Sequence, residues 1–185
     1  MQDILNKTSN WKFILPLFLA FVLCIYLFQN AESALTEIAG ESMTLIDMKS
    51  NYDLAEITEF FNDIGENGRA IHKRITGITD MIFPFVYGPL FILIGAYFMK
   101  KITNPQSNWM YLTLFPVLLM IFDYVENFNT LELLKEFPNL TEAMVDNASR
   151  VTGIKAALTE LSMVFPLLLG VIFVVRRLRE KYLNS

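Results

Sequence analysis

Three short motifs hold most of the polar chemistry available to the apolar part of this chain. In Asp80-x-x-Phe83-Pro84-x-x-Tyr87-Gly88, residues Asp80, Pro84 and Tyr87 stand at i, i+4 and i+7, which on a helix is one face. Asp123-x-x-Glu126-Asn127 again groups its polar residues on one face. Ser149-x-x-Thr152-x-x-Lys155 begins a stripe that Thr159 and Ser162 continue. Two carboxyls in a partly dry site can divide the roles of acid and base, so Asp80 with Glu126 is a candidate catalytic pair, with Tyr87 or Lys155 orienting a substrate. Asp80, Asp123 and Glu126 can also offer oxygen ligands to a divalent cation. The bland alternative is a buried network of ion pairs and hydrogen bonds that fixes helix register, because desolvating each unpaired charge costs several kcal/mol.

The elements that must carry these motifs are apolar helices. Hydrophobic residues make up 54% of the 185, and they concentrate in four blocks: 11–28, 80–99, 108–127 and 156–175. About 20 helical residues cross the roughly 30 Å hydrocarbon layer. The first two blocks reach that length directly. The third and fourth do so only by including Asp123 and Glu126, or Thr159, Glu160 and Ser162, which should therefore lie near a membrane face or point into the bundle. The first block could be read as a secretory signal. Its uncharged core, 13–28, is long for one, however, and Ala31-Glu32-Ser33-Ala34 is a poor cleavage site, so an uncleaved span is expected.

Orientation follows from Lys and Arg. With the amino terminus inside, segments 1–12, 100–108 and 176–185 hold eight of the 15 basic residues but only two of the 19 acids. Trp11 and Trp109 then fall at the cytoplasmic interface, as belt residues should. Both termini are expected in the cytoplasm of a bacterial cell, the chain crossing its inner membrane four times.

The first outer segment, 29–79, should form a helical cap over about 52–78. Asp53 and Glu56 have the spacing of a capping box, and Leu54, Ile57, Phe60, Phe61 and Ile64 recur at helical intervals. Gly65-Glu66-Asn67-Gly68 should break the chain before a second helix starting near Arg69. Arg69, Arg74 and Lys155 are the candidate counter-ions for the acids, and His72 is expected on the surface. A second outer segment, 128–155, offers Thr141 and Asn147 as helix starts. One Cys and one His are too few for a zinc or haem site. No phosphate-binding glycine loop, G-x-S-x-G elbow or H-E-x-x-H is present, and no cofactor is expected.

The order of motifs, Gly65-x-x-Gly68-Arg69, Asp80-x-x-Phe83-Pro84-x-x-Tyr87, Asp123-x-x-Glu126-Asn127 and Ser149-x-x-Thr152-x-x-Lys155, resembles a group of small, uncharacterised four-span bacterial integral membrane proteins. His72 stands where that pattern is expected to be aromatic. The resemblance covers about 50–175 and implies no activity.

The expectation is thus an all-α integral membrane four-helix bundle, 1–185, with an amphipathic hairpin cap. Its polar network would comprise Arg69, Asp80, Tyr87, Asp123, Glu126, Asn127, Thr152 and Lys155. Such a protein would serve as a structural or accessory component, or bind a lipid or small amphiphile. The competing class is an intramembrane enzyme using Asp80 and Glu126 on a lipid-like substrate. Membrane lipids and a larger membrane complex are the expected partners, and nucleic acid is not. An ion path is disfavoured by the apolar inner halves of the spans.

Overall fold

A computed structural model describes residues 1–40, 45–46 and 49–183, and every element among them is helical. A short helix α1 (Gln2–Thr8) precedes α2 (Trp11–Ala39). Helices α3 (Leu54–Asp63) and α4 (Gly65–Arg74) form a hairpin. A π-helical turn (Ile75–Asp80) joins α4 to α5 (Met81–Ile102), a 3₁₀ segment (Asn108–Leu114) leads into α6 (Pro116–Glu136), and α7 (Glu142–Leu183) completes the chain.

Among the described residues four helices are long and apolar enough to cross a membrane: Trp11–Ala39, Gly65–Ile102, Asn108–Glu136 and Glu142–Leu183. Each runs well past the apolar block that marks it in the sequence. At 1.5 Å per residue the 42 residues of α7 make a rod of about 63 Å, twice the hydrocarbon thickness. Thr141 caps that rod, its Oγ1 accepting from the Met144 amide, and the helix passes Asn147 without a break.

Sequence and structure differ at the turn between the hairpin helices. The capping box is present at Asp53 and Glu56, and α3 follows it. Gly65-Glu66-Asn67-Gly68, however, is the first turn of α4 and not a loop. One residue makes the bend: Gly65 has φ of +59°, a conformation that costs a side-chain-bearing residue energy. Gly68 is needed for space, since a Cβ there would lie 2.5 Å from the Ile64 Cβ. Replacing Asp53 with Ala should lower thermal stability by about 1 kcal/mol through loss of the cap, while Asp53→Asn retains most of it. Melts in detergent would check this.

The hairpin buries Ile57, Phe60, Phe61 and Ile64 against Leu35 of α2, Leu133 of α6, and Val145 and Ala148 of α7. At the opposite end α1 tucks Leu5 among Ala96, Met99, Met110 and Leu169. There Lys100 donates to the carbonyls of Asn6 and Ser9, and Arg176 to that of Ile102. Lys100 and Arg176 therefore lie at the end away from the hairpin. Between the two ends the outer faces of α2 and α7 stay exposed and apolar, with Phe18, Leu23, Leu168 and Val171 among them.

Candidate functional site

The path of the second long helix is set by its prolines. Pro84 has no amide hydrogen, so the carbonyl four residues earlier, that of Asp80, loses its helical partner. Asn127 replaces it, donating from Nδ2 to Asp80 O at 3.1 Å. One residue along, the Tyr124 hydroxyl donates to Met81 O at 3.0 Å. The π turn ends at this point. Its wider i→i+5 winding keeps residues four apart nearly in line, and His72, Thr76 and Asp80 are all buried on one face. Gly88 lets α6 approach closely, since a Cβ there would lie 2.2 Å from the Met120 sulfur.

Below this junction three helices meet through charge. Tyr87 of α5 donates its hydroxyl hydrogen to Asp123 Oδ2 at 2.6 Å. Lys155 of α7 pairs with Glu126 Oε2, and its ammonium lies 3.6 Å from Asp123 Oδ1. Asp123 and Glu126 are 3% and 0% exposed, so bulk water does not screen these pairs. Asp80 is also buried, within electrostatic reach of Tyr87 and of Cys24 on α2. Two carboxyls, those of Asp123 and Glu126, thus meet one ammonium.

The structure brings Asp80, Tyr87, Asp123, Glu126, Asn127 and Lys155 into this one interior region, with Thr152 one turn from Lys155 on the same buried stripe. Arg69 lies elsewhere. Its guanidinium donates to Phe61 O and sits 4.7 Å from the centre of the Phe137 ring, so it ties the hairpin together and neutralises none of these acids. Arg74 is exposed, and Lys155 is the cation paired with Asp123 and Glu126. Ser149 serves the loop before α3, its Oγ accepting from the Tyr52 amide.

His72 corrects the expectation of a surface residue. It is 0% exposed, with Nδ1 3.2 Å from Thr76 Oγ1 and the rings of Phe60 and Phe61 edge-on to it. The hairpin folds over it, a contact that local sequence could not reveal. Thr76 and Thr130, both buried, were also missed. The signal was present, because Thr76 precedes Asp80 by four residues and Thr130 follows Glu126 by four.

Among the described residues no group of three His, Cys, Asp or Glu side chains is placed to hold a metal, so the proposed divalent arrangement of Asp80, Asp123 and Glu126 is not formed. Two clefts, of about 820 and 230 Å³, open at the hairpin end of the molecule. The larger is lined by acids including Asp53, Glu59, Asp63 and Asp146, the smaller by Asn129, Glu132 and Asn147, and neither borders Lys155. No protein family, no curated protein and no solved structure matches this chain.

Proposed function

We propose that this chain is a multi-pass protein of a bacterial inner membrane, with a structural or accessory role among membrane lipids and within a larger membrane complex. Both termini face the cytoplasm in this reading, and the α3–α4 hairpin caps the extracytoplasmic end. The concentration of Lys100, Lys101 and Arg176 at the end away from the hairpin supports that orientation, because cytoplasmic segments retain basic residues.

The observation that carries the reading is the direct pairing of Lys155 with Glu126 and of Tyr87 with Asp123. Groups already engaged with one another act as a lock on helix register. A catalytic pair needs room for a substrate between acid and base. Glu126→Gln and Asp80→Asn, purified in detergent, provide the test. Both variants should melt lower than wild type while the lipid recovered with the protein, read by mass spectrometry, stays the same. A changed set of bound lipids with unchanged melting would replace the lock with a ligand site.

A further inference from the structure

One level nearer the hairpin than the ion pairs lies a second set of buried oxygens on α6 and α7. Helices α5 and α6 run antiparallel with a register fixed by Tyr87 beside Asp123, Asp80 O beside Asn127, and Gly77 packed on Leu131. That register carries Thr76 to the level of Thr130. Helices α6 and α7 are aligned by Lys155 on Glu126 and by Leu133 in one cluster with Val145 and Ala148. Thr152 therefore falls between the levels of Asn127 and Thr130, on the interior face of α7.

All four residues are essentially without solvent exposure. Asn127 Oδ1, Thr130 Oγ1 and Thr152 Oγ1 meet no hydrogen-bond partner among the described residues. Five other hydroxyls, those of Thr8, Ser33, Thr58, Thr103 and Thr159, each donate to the carbonyl four residues earlier, while Ser162 Oγ further along α7 is also unmatched. Thr130 and Thr152 do not, and an unmatched buried polar group costs about 1–3 kcal/mol. Because the Asn127 amide gives Nδ2 to Asp80 O, its Oδ1 is turned the other way.

The geometry points to a binding site for a hard monovalent cation of the sodium type, held by Asn127 Oδ1, Thr130 Oγ1 and Thr152 Oγ1. Amide and hydroxyl oxygens are hard ligands, and no nitrogen or sulfur donor is contributed by these residues. Asp80, Asp123 and Glu126 are buried in the same region, and carboxyl oxygens nearby favour a cation over an anion. The ion would sit where the π turn meets α6 and α7, beneath the Phe60–His72–Phe61 layer.

The inference goes beyond the register lock and is separable from it. Thermal unfolding of the full chain in detergent is measured in sodium, potassium, lithium and N-methylglucamine chloride at equal ionic strength. Sodium should raise Tm saturably over N-methylglucamine, by about 3–6 °C at ten times its dissociation constant. Thr130→Val/Thr152→Val should abolish that rise, and Thr130→Ser/Thr152→Ser should keep it. A wild-type protein melting at one temperature in all four salts overturns the site whatever the variants do. So does a sodium response that the valine pair leaves intact. Glu126→Gln measured in N-methylglucamine chloride reports on the lock alone, where no sodium contributes.

Discussion

Lys155→Met should destabilise the protein by about 3–5 kcal/mol, because it leaves Glu126 and Asp123 buried without their cation. Removing the whole charged set should cost far less. Replacing a buried ion pair by neutral or apolar groups of similar size is often close to neutral, since the desolvation penalty disappears along with the attraction. Lys155→Met/Asp123→Asn/Glu126→Gln should therefore recover most of the stability lost by Lys155→Met alone. Unfolding in detergent with added denaturing surfactant measures both. A triple variant no more stable than the single one would mean that the charges are required for more than mutual neutralisation. A single variant as stable as wild type would mean that the pair holds nothing together.

This asymmetry explains why the triad is readable as a network while its contribution is not readable from a contact list. Burial of Glu126 and Asp123 is a cost that Lys155 and Tyr87 offset. What the pairing adds is register: α5, α6 and α7 cannot slide past each other without separating these groups. Under the proposed membrane placement the apolar helix surfaces cannot supply that specificity, because in lipid one Leu- or Val-covered face is exchanged for another at little gain.

The helices long and apolar enough to cross a membrane were legible from composition, and the one-face spacing of Asp80, Tyr87, Asp123, Glu126 and Lys155 is local information. Two kinds of feature were not legible. Helix length beyond the apolar blocks was one: α7 continues through Asn147 and past Arg176, where charged and apolar residues are equally good helix formers and periodicity fades. Long-range placement was the other. Arg69 and Arg74 are close in sequence to Asp80, yet one packs on Phe137 and the other is exposed, because the side of a helix on which a residue falls depends on how α4 joins α5. The π turn at that joint shifts the winding, and nothing in Ile75-Thr-Gly-Ile-Thr-Asp80 announces it. His72 shows the same limit, its burial being decided by Phe60 and Phe61 from another helix.

Pro84 and Asn127 offer the sharpest test of how two of the motifs cooperate. Asn127→Ala should cost about 1–3 kcal/mol, because the Asp80 carbonyl is then left without either its helical donor or its substitute. In a Pro84→Ala background an amide hydrogen returns at position 84 and can bond to Asp80 O as in any α-helix. Asn127→Ala should then cost clearly less, giving a coupling energy of about 0.5–3 kcal/mol between residues 43 positions apart in sequence. The comparison is a double-mutant cycle, so the packing lost with the proline ring cancels between its two arms. Equal costs in both backgrounds would show that Asn127 acts elsewhere, through its Oδ1 and not through the Asp80 carbonyl. The prediction also constrains the π turn. If the proline is what holds the junction open, Pro84→Ala should let the helix revert toward α geometry and rotate Thr76 and His72 away from α6. A cysteine probe at Gly77, whose Cβ would lie 3.9 Å from Leu131, would report that rotation as a changed rate of labelling by a water-soluble reagent, with Cys24 first replaced by Ser.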